Sequence, residues 1–192
     1  MTNLLDEGSD CTAVRERFMA ALERDFYFKN NDRYDQDINE NRKESLQRAL
    51  RVNELMGLVL NEYKNDPALY NKYWRHCFRT LTAADASTAT RYGVHDVLFK
   101  GTLKAQAHDE MLQAILPLLD TFKIYGCYAS TELGHGSNLK MLETTATYDR
   151  SREEFVIHSP TTSSAKFWVG GAGQTATHTI LFAQLVIDGK SY

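Results

Sequence analysis

Residues 123–149 read KIYGCYASTELGHGSNLKMLETTATYD, and the chain changes character inside them. Upstream of Lys123, apolar residues recur at helical spacing. From Lys123 onward they come in short runs bounded by turn residues. KIYGCYAS is such a run and predicts a strand. LETTATYD alternates through Thr145 and Thr147, and EEFVIHS follows after Arg150-Ser151-Arg152, which predicts a hairpin. Ala165–Val169 (AKFWV) and Thr177–Ile187 (THTILFAQLVI) read as two further strands. No helix-length crossover separates these runs, so antiparallel pairing is expected. Asp188-Gly189 reads as the start of another hairpin, so the sheet is expected to be unfinished at Tyr192. Its apolar edge near Thr179–Ile187 should then promote self-association. On that ground the chain is expected to be the N-terminal part of a longer protein.

Outward from this segment, toward the N-terminus, the pattern is helical. Residues 12–27 place Val14, Phe18, Ala21, Leu22 and Phe26 on one face, with charges opposite. Residues 40–62 do the same with Leu46, Leu50, Leu55, Val59 and Leu60. Asp66-Pro67 predicts a helix start, Asp as N-cap and Pro in the first turn, running to about Leu81 with Leu69, Tyr73, Trp74, Cys77 and Phe78. Further helices are expected over Ser87–Leu103 and Gln106–Leu119, the last with Pro117 in its final turn. The polar stretch 29–37 (KNNDRYDQD) reads as a loop. The fold class is therefore α+β: an N-terminal all-helical domain over 1–121, then the start of an antiparallel β-domain over 122–192.

Charge and composition bound the function. The 192 residues carry 22 Lys plus Arg against 25 Asp plus Glu, a net charge of -3, which argues against a nucleic-acid partner. Nowhere do eighteen apolar residues run together, so no membrane span is expected. The start, MTNLLDEGSDCT, is not a signal peptide. Three widely spaced cysteines (Cys11, Cys77, Cys127) without a CxxC speak against a disulfide framework or a zinc site, and for reduced, partly buried thiols. His76, His95 and His108 have no second ligand at helical spacing and read as structural or solvated. Tyr70, Tyr73, Trp74 and Phe78 read as core rather than a base-stacking platform.

Two glycine-bearing loops interrupt the strands, Thr131–Asn138 (TELGHGSN) and Trp168–Gly173 (WVGGAG). Such loops let a ligand approach the backbone and offer it amide donors. Each taken alone also reads as a plain hairpin turn. Neither carries a dinucleotide fingerprint or a phosphate loop. Both lying after strands of one small sheet points to a shared ligand.

The residues GCYASTELGHGSNLKMLETTATYD, EEFVIHSP and AKFWVGGAG resemble the acyl-CoA oxidases, flavoproteins of the acyl-CoA dehydrogenase superfamily. Gly126–Asp149 is the most specific part, and the likeness extends more loosely through Gly93–Met111. The resemblance implies an N-terminal helical domain, a central β-domain of which the start is present here, and a C-terminal helical region that this chain lacks. It implies FAD as cofactor. Thr131 would hydrogen-bond the flavin through hydroxyl and main chain, Tyr128, Gly136 and Ser137 would complete the flavin-facing strand and loop, and Ser137 would also reach the acyl-CoA substrate. Trp168 would pack on the ring, with Val169 and Gly170 following along it. Beside these stand plainer roles: Trp168 as core, Thr131 capping a turn, Ser137 bonding its own loop.

The implied reaction oxidises fatty acyl-CoA to trans-2-enoyl-CoA, with O2 reduced to H2O2. No catalytic residue is expected in this chain, since the family's glutamate base comes from the C-terminal region; Glu132 and Glu143 read as residues making local hydrogen bonds. Dehydrogenase relatives usually carry threonine where Gly170 stands, and its absence is expected to give oxygen access to the reduced ring. The alternatives are a dehydrogenase passing electrons to a protein acceptor, and a non-catalytic helical interaction module. The resemblance also implies a homodimer at full length and a peroxisomal location.

Overall fold

The structure, a computed structural model, describes residues 2–29 and 35–192. Its class is α+β, with helices up to Asp120 and strands from Gly126 onward. The chain divides into two compact units, 1–93 and 94–192.

The first unit holds α1 (Ser9–Arg24), α2 (Ile38–Leu60), α3 (Pro67–Ala84) and α4 (Ala86–Gly93). Its core is drawn from one face of each: Val14, Phe18 and Leu22; Val52, Leu55, Met56 and Leu60; Tyr73, Cys77 and Leu81; Ala89 and Tyr92. Asp66 caps α3 as its sequence predicts, accepting from the Ala68 and Leu69 amides at 3.0 and 3.1 Å. Two expectations fail. Phe26 lies off the α1 face and is exposed, because the helix stops when the Asp25 backbone turns extended. The Asp25 carboxylate is then held by the Tyr27 amide (3.0 Å) and Arg51 (2.6 Å). Leu50 also turns outward. The buried face of α2 runs instead through Arg48 and Ala49. The Arg48 guanidinium is satisfied there by Glu44 at 2.6 Å, the Tyr27 carbonyl at 3.1 Å and Asp85 at 3.7 Å. A buried cation is tolerated only with such partners. Asp85 also caps α4 through the amide and hydroxyl of Thr88. Of the expected loop over 29–37, residues 30–34 lie outside the described residues; Asp37 caps α2 through the Asn39 amide.

The second unit opens with a wide π-helical turn, Val94–Lys100, followed by α5 (Gly101–Gln106) and α6 (Asp109–Asp120). The stretch expected as one helix over 87–103 is thus helical throughout, but in three pieces. His95 and Phe99 are fully buried on the π turn. Phe99, Leu103 and Leu119 form a core against which Leu112, Ile115, Leu116, Ile124 and Ile180 pack. His95 stacks on Tyr125 at 5.0 Å. Its Nδ1 accepts the Gly126 amide at 3.1 Å while Nε2 lies 3.1 Å from the Leu119 carbonyl. The ring therefore carries its proton on Nε2 and is structural, as is buried His76. All three cysteines are buried and unbridged.

Six strands follow: β1 (Gly126–Ala129), β2 (Thr145–Asp149), β3 (Glu154–His158), β4 (His178–Leu181), β5 (Gln184–Ile187) and β6 (Lys190–Ser191). The β2–β3 hairpin forms as read, and Asp188-Gly189, both at positive φ, make the tight β5–β6 turn. Pairing is mixed, however, rather than antiparallel throughout. β1 pairs β4 in parallel in a two-stranded sheet, and β2 pairs β5 in parallel within a four-stranded sheet ordered β3-β2-β5-β6. A parallel return needs only length, and hairpin plus coil supply it here in place of a helix. The run expected as one strand over 177–187 breaks at Phe182-Ala183, where the chain steps from one sheet to the other. Gln184–Ile187 is consequently interior in its sheet, whose long edge is β3 with Phe155, Val156 and Ile157 exposed, while β4 pairs only with β1. Ala165–Val169 is no strand either. It makes one bridge, Glu132 with Lys166, and then turns at Trp168, whose φ is 59°.

Candidate functional site

β1 ends at Ala129 and delivers the first glycine loop, where Glu132 makes a single bridge with Lys166. The loop's opening runs alongside the stretch that leads into the second. Phe167 donates to the Thr131 carbonyl at 3.0 Å, Leu133 to Ala165 at 2.9 Å and Gly134 to Ser163 at 2.8 Å. Thr131 is thereby brought beside the Phe167-Trp168 corner. A two-way bond between the backbones of Glu132 and His135 folds the loop back sharply. Gly136 and Ser137 follow it, exposed and outside this ladder. Tyr128 lies upstream on β1, half-buried, with its ring 5.2 Å from Phe182. Val169 is half-buried, and Gly170 faces the Val94 methyl.

Beneath this surface lies a buried polar floor. Glu132 is 1% exposed. Its carboxylate accepts the Glu143 amide at 2.8 Å, the Thr144 amide at 2.9 Å and Lys166 Nζ at 3.1 Å. Burial alone would raise its pKa; these donors outweigh burial and hold it at about 2. Lys166 in turn donates to the Ser130 carbonyl at 3.2 Å and the Phe182 carbonyl at 2.6 Å. Glu143 bonds Thr161 at 2.6 Å and His135 at 3.1 Å, and those bonds lower its pKa, the hydroxyl partners foremost. Both glutamates thus make local bonds, as the sequence reading has them. Lys166 and Thr144 were not singled out by that reading. The one available signal was that Lys166 is the sole Asp, Glu, Lys or Arg between Glu154 and Asp188.

What the surface offers a ligand is a set of unspent donors. Among the described residues, the amides of Thr131, Gly136, Ser137, Trp168, Val169 and Gly170 donate to no other residue, and the Thr131 and Ser137 hydroxyls have no partner. Trp168 stands 87% exposed and stacks on Phe167 at 5.5 Å. An indole left in water while its backbone sits in the left-handed region is a costly arrangement, about 1–2 kcal/mol for the backbone alone. A core role for Trp168 is therefore wrong. The glycines divide by purpose. A Cβ at Gly126 would lie 2.0 Å from Phe99 and one at Gly134 2.9 Å from Ser163, so the fold itself requires these two. Gly136 has nothing within 4 Å and Gly170 only Val94 at 3.7 Å, so the fold leaves those two places open. Amide and hydroxyl donors, a flat aromatic face and open glycine space could hold a planar ring with hydrogen-bond acceptors along its edge.

The chain is 38% identical over 194 residues to acyl-coenzyme A oxidase 2 of Yarrowia lipolytica, covering 100% of this chain and 26% of that protein. The solved acyl-CoA oxidase 1 of the same organism superposes with TM-score 0.87 at 34% identity, over 100% of this chain and 27% of that one. Acyl-CoA oxidase-2 of Caenorhabditis elegans, solved with FAD, ascaroside-CoA and ATP, superposes with TM-score 0.70 at 30% identity, over 97% of this chain and 27% of that one. The chain spans about a quarter of the length of the curated relatives it matches. The family model of the acyl-coenzyme A oxidase N-terminal region matches residues 1–125, and the chain belongs to the acyl-CoA oxidase family.

Proposed function

We propose that residues 126–173 form one wall of the flavin site of an FAD-dependent acyl-CoA oxidase. The observation that carries this reading is the set of unspent donors around Thr131 and Trp168, next to two glycines that the fold does not need. FAD, when bound, would accept the β-hydride of a fatty acyl-CoA and pass the electron pair to O2, giving trans-2-enoyl-CoA and H2O2. The chain's own residues bind and orient. Thr131 donates through its hydroxyl and amide to acceptors on the ring edge. Trp168, with Val169, covers part of the ring and keeps water from it. Tyr128, Gly136 and Ser137 complete the loop side, and Ser137 Oγ reaches the acyl-CoA. The base that takes the α-proton is not among these residues, so the 192-residue chain by itself has no turnover.

Helical residues 1–121 and β residues 122–192 serve as the first domain and the start of the second. The whole protein acts as a homodimer in the peroxisome, a location that two of the relatives, from Homo sapiens and Arabidopsis thaliana, carry in their names. Gly170 favours an oxidase over a dehydrogenase, because the space beside it admits O2.

The test is a protein carrying this segment at the relatives' full length. It should purify with bound flavin and release peroxide with palmitoyl-CoA, and Gly170→Thr should slow peroxide release about tenfold. Electron transfer to a protein acceptor without peroxide would favour the dehydrogenase. Absence of flavin would reject both.

A further inference from the structure

We propose that the buried Glu132–Lys166 pair is a positioning device that holds Thr131 and Trp168 in one fixed arrangement. The proposal rests on the flavin reading for its purpose, and on geometry for its substance. Glu132 follows Thr131 in the chain, and Lys166 precedes Trp168 by two residues. The ammonium uses its three protons on the Ser130, Glu132 and Phe182 acceptors. It thereby ties the end of β1, the first loop and the junction of β4 with β5. The carboxylate ties the same point to the start of β2 through the Glu143 and Thr144 amides. Thr131 therefore sits between two anchored carbonyl and carboxylate positions, and its own carbonyl takes the Phe167 amide. Its amide and hydroxyl take part in none of these bonds. Trp168 holds a left-handed backbone at φ 59° while its ring is 87% exposed. Such a conformation persists only where the surroundings over-determine it, and the ring contributes little packing of its own. The anchor two residues earlier supplies that determination.

A buried pair that served only stability would be replaceable by neutral residues of similar size. A positioning pair would not be. The experiment uses the 192-residue chain with Trp74→Phe, which leaves Trp168 as the single tryptophan. Glu132→Gln alone and Lys166→Met alone should each lower Tm by roughly ten degrees, since one buried partner is left unmatched. The double variant should recover most of that loss, yet its Trp168 fluorescence anisotropy should fall toward that of an indole rotating in water. Anisotropy equal to the parent's in a folded double variant would overturn the proposal. Amide exchange in the unmutated chain gives a second reading that needs no variant. The Phe167, Glu143 and Thr144 amides should open together with one protection factor. Phe167 exchanging far faster than the other two would show that Thr131 and Trp168 move independently of the pair, and would overturn the proposal equally. Neither readout contains flavin, so a failure of FAD binding would contradict the flavin reading without altering either result.

Discussion

A Cβ at Gly126 would stand 2.0 Å from the Phe99 ring, whereas one at Gly170 would meet only a Val94 methyl at 3.7 Å. Neither glycine has a positive φ, so the difference is one of space alone. Gly126→Ala should therefore destabilise the chain by about 3 kcal/mol through overpacking, while Gly170→Ala should cost under about 0.5 kcal/mol. Urea unfolding of the two variants checks the contrast; equal losses would contradict it. His95 makes a second residue-level prediction. Burial lowers its pKa below the ordinary 6.5, with Asp96, Asp120 and the Leu119 bond pulling upward and Lys100 downward. The neutral ring must accept the Gly126 amide on Nδ1, and protonation would set two N–H groups against each other. With the folded pKa depressed, the unfolded chain binds the extra proton first. Stability is then full above pH 6.5 and falls below it, by up to about 1.4 kcal/mol per pH unit until the folded pKa is reached. Urea midpoints across that range should show the slope, and His95→Gln should flatten it.

Among the elements, β3 is the most exposed edge strand. All five of its residues are exposed, and Phe155, Val156 and Ile157 are consecutive apolar side chains on an edge strand. Such an edge offers unpaired backbone groups beside apolar surface. Of the Thr179–Ile187 stretch anticipated for self-association, β5 is flanked on both sides by β2 and β6 and β4 stays an edge beside β1, but β3 exposes the larger apolar surface. Sedimentation velocity of the 192-residue chain should show concentration-dependent dimers or larger species, and Val156→Lys should return it to monomer. Unchanged association in that variant would place the contact elsewhere. The helices and hairpins were legible because their determinants are local. Asp66-Pro67 sets the start of α3 within four residues, and Asp188-Gly189 sets the β5–β6 turn within two. Pairing direction was not legible, because β1 meets β4 only after the chain has made the β2–β3 hairpin and a long coil. The AKFWV run carries the composition of a strand, yet Lys166 is claimed by three distant oxygens, and no spacing rule reads a partner 34 residues away.

For the molecule as a whole, the family is carried by the chain's full length, whereas the site is carried by two short loops. Their proposed roles come from resemblance, and the structure places Thr131 against Phe167, the residue before Trp168. The floor that joins them was not readable, since Glu132 and Lys166 acquire meaning only when the loops meet. A single wall should bind flavin weakly, because it encloses little of the ligand and still bears the ordering cost. The central claim is that this wall faces the ring. Amide shift mapping of the 192-residue chain with FAD tests it most directly. Binding is expected at about 1 mM or weaker, with shifts centred on Thr131, Gly136, Ser137 and Trp168–Gly170. Shifts centred elsewhere, no shifts at these amides in excess FAD, or stoichiometric binding at micromolar protein would contradict it.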